Sequence, residues 1–222
     1  MRRGMILAAG RGERMGVITE QIPKPLLKVD GSYLIEYGIR AFVNAGIREI
    51  VINVSYLKEQ IIAALGDGKR YGAKLVYSEE NERLETGGGI VKALPLLGTE
   101  PFIVLSADII TDYPLEALLQ KPLRLAHLIM VENPSFKMQG DYCLNQDQEI
   151  EKGPGKTYTF ASLGIYRPEL FTGCQPVYRR LADIWKEALA QKKITGECYP
   201  GLWYNIGTPQ DLEAAQEVLT TT

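Results

Sequence analysis

Through the first hundred residues, short blocks of consecutive apolar residues alternate with stretches whose apolar positions recur every three or four residues. Residues 4–9 form an apolar block stopped by glycine, the pattern of a buried strand running into a loop. Over 33–46, Leu34, Ile35, Gly38, Ile39, Phe42 and Ala45 share one face and Gly46 stands as the stop, which predicts an amphipathic helix. The β-branched block 49–54 predicts a strand, 57–65 a helix and 74–77 a strand. A helix over 87–97, closing late at Pro95, and a buried strand at 102–106 follow. Alternation of this kind implies a mostly parallel sheet covered by helices on both faces. Beyond Asp108 the beat changes. Strand-like blocks at 125–131, 142–144 and 158–166, with helical spacing at 177–191 and 210–219, predict a mixed extension of the same sheet. No fixed-period repeat or linker interrupts the chain, so the expectation is a single domain over 1–222.

A chain of 222 residues sustains the core of one large α/β domain. Its 45% apolar and 23% charged residues are the balance of a folded soluble protein. The apolar runs fall far short of the roughly 20 residues that cross a bilayer. The block after Arg2 and Arg3 is too short for a signal peptide, so a cytoplasmic protein without a membrane partner is expected. A net charge of −2 argues against nucleic acid as a partner. The first 28 residues nevertheless carry Arg2, Arg3, Arg11, Arg14, Lys24 and Lys28 against Glu13 and Glu20, enough to hold a small anion locally. Three irregularly spaced cysteines predict reduced thiols rather than disulfides or zinc. His127 is the only histidine and sits in an apolar run, so its role reads as structural and any mechanism needing two histidines is excluded.

The most informative stretch is Leu7-Ala8-Ala9-Gly10-Arg11-Gly12-Glu13-Arg14-Met15. Glycines directly after a buried strand let backbone N–H groups approach a polyphosphate, and Arg14 can reach the phosphates from the same loop. Two better-known glycine loops fit poorly. The dinucleotide fingerprint needs its third glycine one residue before Gly16, and Pro23-Lys24-Pro25 stands where its helix belongs. The P-loop needs Gly-Lys-Ser/Thr where this chain has Gly12-Glu13-Arg14. Lys24, set between two prolines, is presented from a stiff backbone. Taken alone, the glycine loop also reads as a plain turn, and Pro-Lys-Pro as a surface turn.

The run Leu7 to Met15, followed by Pro23-Lys24-Pro25-Leu26, resembles the N-terminal signature of the sugar-1-phosphate nucleotidyltransferase family. The likeness continues through Leu34 to Tyr37, Leu84-Glu85-Thr86-Gly87-Gly88-Gly89, Ser106-Ala107-Asp108 and Trp203 to Thr208, and so spans nearly the whole chain. Within the family, the short length and the Leu84 to Gly89 run are most similar to the N-acetylmuramate 1-phosphate uridylyltransferases of bacterial cell-wall (peptidoglycan) recycling. The resemblance implies the nucleotide-diphospho-sugar transferase fold, a Rossmann-like α/β sheet without a C-terminal β-helix. It also implies a nucleotide-binding part over 1–110 and a sugar-binding part over 111–222.

The implied reaction is attack by a sugar 1-phosphate oxygen on the α-phosphorus of UTP, with magnesium pyrophosphate leaving. A phosphate monoester, whose second pKa is about 6, needs no strong general base, so catalysis rests on positioning and charge neutralisation. By carry-over, Leu7, Ala8, Ala9, Gly10, Gly12, Thr86 and Gly87 bind the nucleotide, and Arg14, Lys24 and Asp108 form the catalytic set. Gly140, Asp141 and Glu151 line the sugar pocket, and Asp108 with Asn205 holds Mg²⁺. Asn205 departs from the family, which has aspartate there, and the neutral amide should weaken metal binding. Rival readings keep the fold and change the substrates, to a glucose 1-phosphate thymidylyltransferase or a mannose 1-phosphate guanylyltransferase. A non-catalytic nucleotide-sugar sensor is the alternative of another class. A monomer or small homo-oligomer is expected.

Overall fold

The computed structural model describes residues 2–220. In chain order its elements are β1 (Gly4–Leu7), α1 (Ile18–Gln21), β2 (Lys28–Val29), β3 (Ser32–Tyr33), α2 (Leu34–Asn44), β4 (Glu49–Val54), α3 (Lys58–Leu65), β5 (Lys74–Glu79), α4 (Glu85–Leu97), β6 (Phe102–Ser106) and β7 (Ile109–Thr111). The second half adds α5 (Leu115–Leu118), β8 (Ala126–Val131), β9 (Tyr142–Leu144), β10 (Ile150–Glu151), β11 (Thr157–Tyr166), α6 (Leu181–Ala190), β12 (Ile194–Cys198), β13 (Trp203–Asn205) and α7 (Pro209–Thr220). Among the described residues no helix is long and apolar enough to cross a membrane.

β1 lies at the centre, flanked by parallel β4 and β6, with β5 parallel beyond β4. β11 then runs antiparallel to β6, and the sheet continues through β8 to β12 on one branch and through β9 to β10 on the other. One sheet therefore crosses residue 110 without a break. Alternation along β1 divides the core: Ile6 joins the layer under α2 and α3, and Met5 joins the layer under α4 and α6. The buried face of α2 consists of Leu34, Ile35, Gly38, Ile39 and Phe42. Gly4 admits the Phe42 ring, since a Cβ there would stand 2.5 Å from it. Truncating Phe42, which is fully buried, would cost about 3–5 kcal/mol. A third cluster, with Met15, Leu34, Ile110, Ile206 and Ala215, ties the N-terminal loop to the β7–β13 ribbon and α7.

Three sequence expectations are adjusted. α4 starts at Glu85 rather than 87 and runs through Pro95 to Leu97, because a proline in the last turn forfeits only one hydrogen bond. α6 starts at Leu181 rather than 177, because Arg179 is bound to α4 instead: its N–H donates to Leu84 O, and its carbonyl accepts from Gly87 N and Gly88 N. β12, with its threonine, glycine and glutamate, lacks a continuous apolar block, yet it pairs parallel with β8 along five residues. His127 on β8 is buried, with Nδ1 2.9 Å from Thr195 Oγ1. Burial pushes its imidazole pKa down, which keeps the ring neutral in a structural position.

Candidate active site

The carboxyl ends of β1, β4 and β6 open into a cleft of about 360 Å³, the place where open α/β sheets present ligands. Leu7, Ala8, Ala9, Gly10, Gly12, Arg14, Lys24, Thr86 and Asp108 all border it. Gly87 does not.

The loop after β1 earns each of its glycines differently. Gly12 sits at φ 71°, and its carbonyl accepts from Met15 N at 2.9 Å and Thr19 Oγ1 at 3.1 Å, closing the turn. A Cβ at Gly12 would also stand 3.0 Å from Lys24 Cβ, so the loop lies directly on the lysine. A Cβ at Gly10 would meet nothing within 4 Å, so the space above it belongs to the cleft. The Arg14 guanidinium lies over Gly207, where a Cβ would come within 2.9 Å of it.

Lys24 begins a 3-10 turn over Lys24–Leu26 and is buried while bordering the cleft. Its Nζ donates to Asp108 Oδ2 at 2.5 Å. Asp108 stands in the turn after β6, with its backbone fixed by Ile206 N donating to its carbonyl at 2.9 Å. Arg14, Lys24 and Asp108 thus reach one cavity from three separate parts of the chain.

Among the cleft residues that escaped the sequence reading, Asn53 and Glu80 form a network. Asn53, at the end of β4, accepts from Ala8 N at 2.9 Å through Oδ1 and donates through Nδ2 to Glu80 Oε1 at 2.7 Å. Both side chains are buried. Burial pushes the Glu80 carboxyl above its usual range, against the pull of the Asn53 amide and the Leu84 backbone N–H. The network ties the backbone of the loop after β1 to the loop leading into α4. Its signal in the sequence was a polar residue inside the apolar block Ile50-Val51-Ile52-Asn53-Val54.

A second cavity of about 300 Å³ adjoins the first and shares Leu7, Glu85, Thr86 and Ser106 with it. Asp141 borders it but is already engaged, accepting two bonds from Lys137 Nζ and one from Phe160 N. Gly140 lies outside, at φ 57°, in a turn where a Cβ would strike Asn133 Oδ1 at 2.5 Å. Glu151 is exposed on β10, outside both cavities. Asn205 is half-buried on β13 opposite Ile109, next along the chain to the Ile206 N–H that binds Asp108, and is not among the residues bordering the cleft. Two strained non-glycine residues, Glu85 at φ 59° and Ser162 at φ 56°, both border the second cavity. The sequence gives no warning of either.

The sequence model of a family described as nucleotidyl transferase matches residues 3–134. The N-acetylmuramate alpha-1-phosphate uridylyltransferase of Neisseria meningitidis serogroup B is 44% identical, over 96% of this chain and 96% of its own length. The protein of the same name from Caulobacter vibrioides is 32% identical, over 96% of this chain and 94% of its own. Among solved structures, HddC from Yersinia pseudotuberculosis complexed with GMP-PN superposes with a TM-score of 0.80 at 20% identity, covering 99% of this chain and all of that one. At that identity the likeness is one of fold.

Proposed function

This chain belongs to the nucleotidyl transferase family, and on that premise we propose that it transfers a uridylyl group from UTP to N-acetylmuramic acid 1-phosphate, releasing pyrophosphate. The observation that carries the reading is the convergence of the Gly10–Arg14 loop, Lys24 and Asp108 on one cleft at the strand ends. The nucleotide-binding part is then 1–110 and the sugar-binding part 111–222, with the second cavity, to whose wall Leu7, Glu85, Thr86, Val104 and Ser106 also contribute, as the sugar site.

In this reading the open space over Gly10 and the αL turn at Gly12 bring backbone N–H groups to the triphosphate. Arg14 adds its charge from the same loop. Lys24 neutralises charge at the reacting phosphates, and its buried stem fixes where that charge sits. The sugar phosphate oxygen is already anionic near neutral pH, so no side chain has to take a proton from it. Thr86 borders the cleft; its hydroxyl accepts from Leu181 N at 3.1 Å, which orients it and leaves its O–H to donate to the base.

The donor set fits Mg²⁺. Asp108 borders the cleft and keeps Oδ1 free of its bond to Lys24, and a hard cation of this kind accepts one or two carboxylates when phosphates and water complete its shell. Asn205, outside the cleft border, would have to turn its side chain toward Asp108 to add a neutral carbonyl oxygen. Among the described residues no cluster of three His, Cys, Asp or Glu could hold a metal without substrate. Bound there, Mg²⁺ would neutralise the triphosphate and the departing pyrophosphate. A cytoplasmic role in recycling cell-wall sugars follows from this substrate pair.

The neutral Asn205 favours one second reading, a nucleotide-sugar sensor without turnover. A pyrophosphate-release assay crossing UTP, dTTP, GTP, ATP and CTP with several sugar 1-phosphates separates them. Turnover with UTP and N-acetylmuramic acid 1-phosphate is the expected result. Silence of every pair at high Mg²⁺ rejects the transferase.

A further inference from the structure

The second cavity combines an apolar wall of Tyr142, Phe160 and Trp185 with two basic side chains, Lys137 and Arg180. Their situations differ. Lys137 is neutralised by Asp141, with Nζ 2.6 and 2.7 Å from the two carboxylate oxygens. Arg180 makes no ion pair and no side-chain hydrogen bond among the described residues. The acid three positions along, Asp183, pairs with Lys186 at 2.8 Å. Nearby Arg83 is matched by Glu85 at 2.5 Å. Arg180 is thus the basic residue of this cavity without an ion pair or side-chain hydrogen bond, and its charge faces the longer-range field of Asp183.

Its backbone is nonetheless held firmly. Leu181 N donates to Thr86 Oγ1, and the carbonyl of Arg179 accepts from Gly87 N and Gly88 N at 2.9 and 3.1 Å. A Cβ on Gly87 would lie within 2.9 Å of the Arg179 and Arg180 backbone, so the glycine run at the start of α4 lets this segment dock closely. Two further groups in the cavity wall are incomplete. Tyr166 and Trp185, both almost fully buried, keep a phenol and an indole N–H without hydrogen-bond partners. Arg180 does not border the first cleft, where Arg14, Lys24 and Asp108 meet.

We infer that Arg180 is a specificity-determining residue that reads a carboxylate carried on the sugar ring, so that the second cavity selects acid-bearing over neutral sugar 1-phosphates. The inference rests on the transferase reading above and deepens it. A guanidinium presents parallel N–H donors that match a carboxylate, and a bond to a charged group is stronger than a neutral one. The separation of the two cavities assigns the 1-phosphate to Lys24 and Asp108 and the acid to Arg180. The apolar wall suits the sugar's ring face and its alkyl substituents.

The test compares kcat/KM, at saturating UTP, for N-acetylmuramic acid 1-phosphate and for N-acetylglucosamine 1-phosphate, the same sugar without its acid-bearing ether. The ratio within one protein cancels any loss of folded enzyme. Wild type should favour the acid. Arg180→Ala should lower that ratio by about 10-fold, the scale of one charge-assisted hydrogen bond at an exposed residue, and Arg180→Lys should retain part of it. A ratio unchanged in Arg180→Ala, an equal fall for both sugars, or a wild type without preference overturns the assignment and leaves the transferase reading standing. A wild type that turned over neither sugar with any nucleotide would overturn both.

Discussion

Lys24 Nζ donates to Asp108 Oδ2 at 2.5 Å, joining two residues 84 positions apart at the mouth of the cleft. The lysine side chain is 10% exposed and the aspartate 27%, so the pair is partly shielded yet open on the side where substrate would arrive. A cation tied to a carboxylate can serve as a placeholder: when a metal takes the carboxylate, the ammonium is released toward phosphate.

That arrangement predicts different losses for the two partners. Asp108→Asn keeps a hydrogen-bond acceptor for Lys24 but removes the charge that attracts metal. Its kcat/KM should fall by about 10²–10³, with only a modest change in melting temperature. Lys24→Ala should lose a similar factor in rate but lower the Mg²⁺ concentration giving half-maximal activity, because the carboxylate no longer has to be freed from the ammonium. Pyrophosphate release measured across a Mg²⁺ titration separates these, and a raised metal midpoint in Lys24→Ala with an unchanged one in Asp108→Asn would reverse the two roles.

Asn205 gives a second metal prediction. It lies one residue before Ile206, whose N–H fixes the Asp108 carbonyl, so a carboxylate introduced there would stand on the strand adjoining the first. Asn205→Asp should therefore lower the Mg²⁺ requirement, by up to about 10-fold if the new charge reaches the ion. An unchanged metal titration would show that this position plays no part in holding the cation.

Glu80 carries the pH prediction. Its folded pKa is raised above the ordinary 4.5, first by burial. For a raised pKa the stabilising contribution is complete below 4.5 and is lost as pH rises through the folded value. Urea unfolding of wild type and Glu80→Gln from pH 4 to 7 should show the difference, wild type minus variant, falling as pH rises. Each unit of elevation corresponds to about 1.4 kcal/mol. A difference that instead grew with pH would mean the Asn53 and Leu84 donors outweigh burial.

Much of this molecule was legible because local pattern and tertiary need agree. The apolar block at β1, the one-faced spacing of α2 and the strand at β6 each bury what their periodicity says they should. The glycine loop and Lys24 were legible as residues of one cleft because unusual residues, glycine and proline, stand there at fixed spacing. Legibility failed where a residue's role depends on a partner far along the chain. Arg180 meets the second cavity only because 179–180 docks on α4, and nothing in Tyr178-Arg179-Arg180 announces that contact. Glu151 reads as a pocket residue by position, yet the β9–β10 pairing leaves it exposed. Gly87 was expected to bind the nucleotide, whereas the space beside the glycine run 87–89 is filled by the protein's own backbone at 177–180 and by Glu80 and Asn53.

That last contrast can be tested with two glycines that look alike in the sequence. At Gly10 an added Cβ meets no protein atom within 4 Å, and no positive φ strains the substitution. Gly10→Ala should therefore leave the melting temperature within about 0.5 kcal/mol equivalent of wild type, while raising KM for UTP by intruding on the space above the loop. At Gly88 the same methyl would stand 2.0 Å from the Val177 carbonyl oxygen, a backbone atom that cannot move without lifting the segment that carries Arg180. Gly88→Ala should lose at least the roughly 1–3 kcal/mol of an overpacked site, and its preference for an acid-bearing sugar should weaken along with its stability. Thermal unfolding and substrate kinetics on the two variants check this together. A destabilised Gly10→Ala with unchanged nucleotide KM would mean that the loop glycine serves the fold and not the ligand.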